Sequence, residues 1–536
     1  MVEVKSINPR TGTVLQSLGD ASSGDDVDAA CRGAANAATA LESLGRSGRA
    51  SMLRKMAREL ESRRTEVIRI ADQETGIGAE RLNGELSRTT FQMRFFADVL
   101  DEGAYLEAAI DHAGETVLGP RPDLRRMLVP IGPVAVFGAS NFPLAFSAPG
   151  GDTVSALAAG SPVLIKAHDS HPSTSNLCAD LLRRVIRDVG LPNGTLSLLH
   201  GLAAGAQLVT HPAVKAVGFT GSSTAGRVLL DLIGRRPDPI PLYGELASLN
   251  PVVVTKRAAV ARGSEIALGL TTSFTAAGGQ MCTKPGLIFI PVGEAGDHTV
   301  MQMRENLQGE QKFVLLNERI RDSFAADSEA LRSWPNARVV HSADVDTTEG
   351  FHASALLLEV AVAELNAETL EEHFGPVAIV ARYRDEDELL DQLRTLPGSL
   401  TATIHSEPAE AELAQTMTNV LRQRAGRLVY DQYPTGVAVT WAQHHGGPWP
   451  STNTTHTSVG PAAIRRFLRP TTWQNSPEHL LPQELRDDYE DIPRRIDGQL
   501  RLAVPRRDTA IPDHRRDRVT PTSAFALPQQ QSGVQR

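Results

Sequence analysis

Cys282 lies in GGQMCTKPG (Gly278 to Gly286), where glycines bring backbone close to a ligand and leave N–H groups free to face it. A cysteine so placed has the chemistry of a nucleophile, attacking a carbonyl carbon as thiolate. Glu245, in LYGELASLNPVVV, stands between two apolar strands with Gly244 and Ala247 beside it. Partial burial there is expected to raise its pKa toward the working pH, which suits a general base. Asn141, in FGASNFPLAFS, follows an apolar strand that ends at Gly138. Ligands bind at the carboxyl ends of parallel strands, and an Asn amide there donates to a developing oxyanion. The run VGFTGSSTAGR (Val217 to Arg227) passes from strand through Gly221 and Gly226 into helix. Backbone N–H groups and the helix dipole face an anion in that arrangement. The run lacks the lysine of a P-loop and the usual dinucleotide spacing.

Taken singly, each feature has a plainer reading. A cysteine can be a buried structural residue, as expected for Cys31 and Cys178 on their helices. Glu245 can be a cap or a salt-bridge partner, and Asn141 an ordinary turn residue.

The elements that must position these residues follow from hydrophobic spacing. From Asp25 to Ala109 apolar residues recur at three and four, as in Met52, Leu53, Met56 and Leu60, which predicts helices. Ser22, Ser23 and Asp25 are capping candidates for the first. A charged stretch, Glu115 to Arg126, reads as an excursion, with a hairpin expected. Strands at Pro133–Phe137, Val163–Ile165, Leu196–Leu199 and Val214–Phe219 then alternate with helices at Pro172–Asp188, Ala203–Thr210 and Thr224–Ile233. A second alternating block runs from Val252 to about Tyr430. Such alternation builds parallel sheets covered by helices, so the fold class is α/β with two domains in tandem. The segment from about Leu502 is rich in Arg, Asp, Pro and Gln and is expected to be disordered.

Composition narrows the function classes. The 536 residues are 41% apolar and 22% charged, as in a soluble globular protein of several domains. The net charge of −9 argues against nucleic acid or an anionic membrane as the main partner. Three cysteines make no disulfide framework and fit a reducing compartment. With no secretory signal and no bilayer-length apolar run in the sequence, a cytoplasmic protein is expected.

Order and spacing together carry more than any motif alone. Asn141 in SNFP, Lys166 ending a strand, FTGS at Phe219 to Ser222, Glu245 in GELASLNP, Gly279 to Cys282 and EEHFGPV at Glu371 to Val377 together resemble the aldehyde dehydrogenase superfamily. The likeness spans about Ile7 to Arg469. KAHDSHP (Lys166 to Pro172), PLAFSAPGGDT, RRPDPIPLYGEL and HHGGPWPSTNTTHTSVG (His444 to Gly460) are similar to the 2-oxoglutarate semialdehyde (2,5-dioxovalerate) dehydrogenases, and bacterial fatty aldehyde dehydrogenases share these motifs. The resemblance implies that Cys282 is the nucleophile, Glu245 the general base, and Asn141 with the Cys282 N–H the oxyanion donors. It implies NAD or NADP as cofactor. Lys166 would bind the adenosine ribose, and Gly221, Ser222 and Gly226 would form the pyrophosphate turn. Glu372 would hold the nicotinamide ribose, and Phe374 would pack near the ring. Ser140, where many members have Trp, joins the cofactor-binding candidates. Many members also have a Lys at the position of Gly150, which puts a lysine proton relay in doubt here.

Asp169 falls where the family reads the adenosine ribose. A carboxylate accepts from a free 2′-hydroxyl and repels a 2′-phosphate, and Leu199 to Gly205 offers no Arg or Lys, so NAD is expected over NADP. The favoured reaction is oxidation of 2,5-dioxovalerate to 2-oxoglutarate. The alternatives are a broad aliphatic or fatty aldehyde dehydrogenase and a catalytically silent scaffold of the same fold. Arg304, Arg94 and His444 are candidates for a substrate carboxylate. His444 and His445 lack Cys or Glu ligands at metal spacing, so no metal is expected, and they are read as pocket wall or domain contact. The expected organisation is a doubly wound cofactor domain (1–114 and 129–249), an α/β catalytic domain (250–441), an oligomerisation element (115–128 and 442–492) and a disordered tail (502–536). A homodimer or homotetramer acting on a small aldehyde, without nucleic acid or membrane partners, is implied.

Overall fold

The helical spacing after Asp25 becomes, in the computed structural model, four helices: Gly24–Ser43, Gly45–Ser62, Arg64–Thr75 and Ala79–Glu102. The structure describes residues 2–309, 312–343, 349–366 and 369–504. Of the capping candidates Ser23 takes the role. Its Oγ accepts from the Asp26 amide at 3.2 Å, and the Asp26 carboxylate accepts from the Ser23 amide at 2.8 Å. Two donors that a helix start leaves open are thereby satisfied. Met52, Leu53, Met56 and Leu60 are fully buried and pack with Phe96 and Leu100 of the fourth helix.

The first alternating block forms five parallel strands. Their spatial order is Leu242–Glu245, Ala216–Thr220, Val134–Phe137, Val163–Lys166, Leu196–Leu199. The earliest strand of the set sits in the middle, so the winding reverses between Val134–Phe137 and Ala216–Thr220. Connections diverge at such a point and leave a crevice at the carboxyl ends of the strands. Lys166, Thr220 and Glu245 end three of these strands.

The second block forms a seven-stranded sheet ordered Arg338–Ser342, Leu356–Ala361, Val377–Tyr383, Leu287–Pro291, Val252–Val254, Ser399–His405, Ala425–Tyr430. All neighbours are parallel except the first pair. Leu287–Pro291 and Val377–Tyr383 are buried along their whole length, as strands covered on both faces must be.

A third sheet joins distant parts of the chain. The excursion holds a hairpin, Gly114–Thr116 with Gly119–Arg121, and then a strand, Leu124–Pro130, that pairs antiparallel with Leu468–Gln474. Ala109–Asp111, Arg494–Ile496 and Gln499–Arg501 complete this sheet. The last two strands, and the hairpin Glu3–Ile7 with Val14–Asp20, were not foreseen from sequence. They are short or largely exposed and show no clean apolar alternation. From residue 505 the expected disordered tail lies outside the described residues. Leu502–Val504 are described, and the Val504 amide donates to the Glu490 carbonyl at 3.0 Å. Among the described residues no helix is long and apolar enough to cross a membrane.

Candidate active site

The backbone that delivers Cys282 is one that L-residues rarely adopt. Ala277, Gly278 and Gly279 follow one another at φ 54°, 65° and 67°. A Cβ on Gly279 would lie 1.9 Å from the Gly375 carbonyl oxygen, so the loop needs glycine there for space as well as for conformation. Gln280 fastens the loop to its neighbours. Its Nε2 donates to the Ala277 and Val314 carbonyls at 3.0 Å, and its Oε1 accepts from the Leu316 amide at 3.0 Å. Asn250 holds the other side, donating from Nδ2 to the Cys282 and Lys284 carbonyls at 2.8 and 2.9 Å. Lys284 Nζ donates to the His373 and Val377 carbonyls at 2.7 and 2.9 Å, which ties the EEHFGPV loop to the nucleophile loop. Asn250 and Lys284 lie inside motifs read from sequence, yet no role was visible there.

All three cysteines are free thiols. Cys31 and Cys178 are fully buried, and burial raises both thiols, Cys31 to about 12. Cys282 keeps partial exposure. Burial, then Glu245 and Glu372, hold its thiol well above the ordinary range, while Arg88 pulls the other way. These surroundings disfavour the thiolate, so Cys282 would need a base in order to attack as a nucleophile.

A buried carboxylate is adjacent. Glu245 is buried at the end of its strand, with Oε1 2.9 Å from His445 Nε2 and Oε2 accepting from Ser458 Oγ at 2.8 Å. The same His445 Nε2 lies 3.7 Å from Cys282 Sγ. Burial alone would raise the Glu245 carboxyl, but His445, Ser458 and Cys282 outweigh it and leave the pKa below the ordinary value. The raised pKa expected from sequence is thus corrected: partners, not burial, decide the sign.

His445, read from sequence as pocket wall or domain contact, lies beside both Cys282 and Glu245. Glu245, Cys282 and His445 offer ligand atoms within 4.8 Å of one another, so a thiol and a carboxylate absent from its sequence neighbourhood are present in space. The His444–Gly460 segment wraps the end of the Glu245 strand. Asn453 accepts from the Gly244 amide at 2.8 Å, and the Leu246 amide donates to the Ser451 carbonyl at 2.8 Å. Gly150 leaves no room for a lysine relay, since a Cβ there would lie 2.6 Å from the Ala145 carbonyl oxygen.

Asn141 is buried against the nucleophile loop, with Nδ2 donating to the Gln280 carbonyl at 2.9 Å. Arg81 donates to the Asn141 carbonyl at 2.7 Å and stacks over Phe142, its Cζ 4.9 Å from the ring centre. Two turns along the same helix, Arg88 lies over Phe146 at 5.4 Å and donates to the Val437 carbonyl. Arg427 donates to the carbonyls of Pro434 and Gly436 on that same loop. The carboxylate candidates named from sequence have the following surroundings. Arg94 bonds Thr90 on its own helix at 3.1 Å, and Arg304 acts on His341 at the edge of the second sheet. His444 is the sequence neighbour of His445 and half-buried.

The cofactor candidates line the crevice of the first sheet and the facing loop of the second. Ser222 caps the helix Ser223–Gly234, accepting from the Ala225 amide at 3.3 Å, and the Gly221 amide donates to the Glu245 carbonyl at 3.0 Å. A Cβ on Gly226 would lie 2.4 Å from Leu246 Cδ2, so glycine lets the helix approach the segment after the Glu245 strand without moving that side chain. Lys166 is buried, its Nζ donating to Asp169 Oδ1 at 3.0 Å. Burial, offset by Lys284 and the Ser248 amide, raises Glu372 to about 7. Phe374 is partly buried between the lysine-bound carbonyl of His373 and Gly375, and Ser140 is partly exposed in the turn before Asn141. A helix N-terminus, a buried lysine and carboxylates on both sides fit a dinucleotide.

Comparisons with known proteins agree with this geometry. Residues 2–310 match the sequence profile of the aldehyde dehydrogenase family. The chain is 42% identical to alpha-ketoglutaric semialdehyde dehydrogenase 2 of Azospirillum brasilense over 482 residues, covering 88% of this chain and 91% of that protein. It is 40% identical to the alpha-ketoglutaric semialdehyde dehydrogenase of Acinetobacter baylyi, covering 89% and 91%. The crystal structure of lactaldehyde dehydrogenase from Escherichia coli superposes with a TM-score of 0.76 at 20% identity, covering 88% of this chain and 96% of that one.

Proposed function

The chain belongs to the aldehyde dehydrogenase family, a family of NAD(P)-dependent oxidoreductases, and from that premise we propose that it oxidises 2,5-dioxovalerate to 2-oxoglutarate. The observation that carries the chemistry is the contact of Cys282 Sγ with His445 Nε2, which in turn contacts Glu245. The substrate rests on the two relatives named for alpha-ketoglutaric semialdehyde, which is 2,5-dioxovalerate.

Glu245 takes the thiol proton, directly or through His445, as Cys282 Sγ bonds to the aldehyde carbon. The carbonyl oxygen becomes an oxyanion held by the Asn141 amide and the Cys282 N–H. When bound, the oxidised nicotinamide accepts the hydride from that carbon, which leaves a thioester on Cys282. Glu245, once it has released the thiol proton to solvent, takes a proton from the water that attacks the thioester, and the acid departs as the thiolate reforms. His445 and Ser458 keep the carboxylate ionised and aimed while it performs both transfers. Where Gly150 excludes a lysine relay, His445 supplies the proton path.

Lys166, Gly221, Ser222, Gly226, Ser140, Glu372 and Phe374 hold the cofactor in this reading, and Asp169 favours NAD over NADP. The Lys166–Asp169 pair neutralises part of that carboxylate, so the preference is one of degree. The three sheets support a cofactor domain (1–114 and 129–249), a catalytic domain (250–441) and an oligomerisation element (115–128 and 442–492). A homodimer or homotetramer in the cytoplasm belongs to the same reading. Arginines beside the pocket count against a broad fatty aldehyde enzyme, and the assembled Cys282–His445–Glu245 group counts against a silent scaffold.

The test is initial rates of NADH and NADPH formation with 2,5-dioxovalerate, succinate semialdehyde and a medium-chain aldehyde, for wild type and Cys282→Ala. We expect the highest kcat/KM on 2,5-dioxovalerate with NAD, and turnover abolished in the variant. Faster turnover of the medium-chain aldehyde would move the assignment, and turnover without Cys282 would overturn the mechanism.

A further inference from the structure

Three arginines near Cys282, namely Arg81, Arg88 and Arg427, carry guanidinium N–H groups that the described residues leave unsatisfied. Arg81, Glu85 and Arg88 share one face of the helix Ala79–Glu102, where residues three and four apart are neighbours. Glu85 is fully buried and spends one carboxylate oxygen on the Leu144 and Ala145 amides, at 2.8 and 2.9 Å. One carboxylate therefore faces two guanidinium groups, and Arg427 adds a third cation from the strand Ala425–Tyr430. The hydrogen bonds these arginines make go to backbone carbonyls. Arg88 is the least satisfied: its Nε and Nη2 are buried and have no hydrogen-bond partner, while Arg81 and Arg427 each lack a partner only at Nε.

Placement makes this cation relevant to the reaction. Arg88 stacks on Phe146, the Phe146 ring is 6.4 Å from the His445 ring, and His445 touches Cys282 Sγ. The same guanidinium is close enough to oppose the rise of the Cys282 thiol. Phe142, Ala145 and Met281 form the apolar floor between the arginines and the nucleophile, with Phe146 packed against them. An apolar floor flanked by a fork of unpaired N–H groups suits a short aliphatic chain ending in a carboxylate.

We propose that Arg88 is the specificity-determining residue that receives the far carboxylate of an anionic aldehyde substrate, with Arg81 and Arg427 as supporting cations. The inference rests on the semialdehyde reading above and names the residue that enforces it. Arg81 also holds the Asn141 carbonyl, so its loss damages turnover of every aldehyde. Arg88 makes no hydrogen bond to Cys282, His445 or Glu245, so its loss touches a neutral aldehyde only through its charge on the Cys282 thiol, whereas an anionic aldehyde loses a direct contact as well.

The experiment is kcat and KM of the NAD-loaded full chain on 2,5-dioxovalerate, succinate semialdehyde and pentanal, for wild type, Arg88→Gln and Arg88→Lys. Thermal melts of each protein confirm folding. In wild type the kcat/KM ratio of either anionic aldehyde over pentanal is expected to be large. In Arg88→Gln that ratio falls about 30- to 100-fold, mainly through KM, as loss of a charge-assisted contact implies. Arg88→Lys, which keeps the charge but not the fork, recovers part of it. A large wild-type ratio that Arg88→Gln leaves unchanged would overturn the assignment of Arg88. A wild-type ratio near one would instead overturn the semialdehyde reading, and the inference with it. If Arg88→Gln melts early, the Arg88→Lys ratio decides: partial loss supports the proposal, and a wild-type ratio refutes it.

Discussion

Glu245 and Glu85 are both buried carboxylates near Cys282, and they are held in different ways. Each oxygen of Glu245 has a side-chain partner, His445 on one and Ser458 on the other, and its pKa lies below the ordinary value. Glu85 gives one oxygen to two backbone amides, leaves the other without a partner, and has its pKa raised by burial although Arg81 and Arg88 oppose that. The satisfied carboxylate is rigid and ionised, ready to exchange protons with the thiol and with water. The other anchors the Leu144–Ala145 turn and shares its charge between two arginines, which leaves positive charge over. One side of the pocket is completed by the protein, and the other by an anion that enters it.

Three substitutions test this contrast. The largest effect is expected for Glu245→Gln, which keeps shape and hydrogen bonds but removes the base. Steady-state kcat should fall by about 10²- to 10⁴-fold, and a loss under tenfold would mean another group is the base. Glu85→Gln keeps an acceptor for the two amides but removes the buried carboxylate that shares the helix face of Arg81 and Arg88. Denaturant unfolding should show a loss of about 3 kcal/mol. If stability is unchanged, the helix face is not electrostatically balanced as described. The smallest change in rate, but the most informative in pH, is expected for His445→Gln. Without His445 the burial of Glu245 has less to oppose it, so the carboxyl pKa rises and the acid limb of the kcat/KM profile moves to higher pH. The variant should lose most at acidic pH and recover as pH rises. An unmoved limb would separate His445 from the ionisation of Glu245.

Cys282, Glu245 and Asn141 stood out as candidates because their motifs are local. Cys282 between glycines, Glu245 after an apolar strand and Asn141 at a strand end declare their surroundings within a few residues. The alternating strands were readable where their apolar runs are continuous, as in the fully buried Val163–Lys166; Leu196–Leu199, buried only at its two ends, also appears where the spacing put it. The edge strands Glu3–Ile7 and Gln499–Arg501 gave no such signal, since exposed strands carry little apolar pattern.

Sequence by itself therefore determined the α/β class and singled out Cys282, Glu245 and the turn from Gly221 to Gly226 as candidates, because each of these depends on residue types close together in the chain. Tertiary structure decided the rest. Arg81, Glu85 and Arg88 read in sequence like any helical ladder of alternating charge, which usually faces water. Only packing of that face against Phe142 and Phe146 turns it into a buried wall beside Cys282. His445 is 163 residues from Cys282 and 200 from Glu245 in the chain, and the sign of the Glu245 shift depends on it. Burial and electrostatic pairing are properties of neighbours in space, and no local pattern encodes which distant partner will arrive.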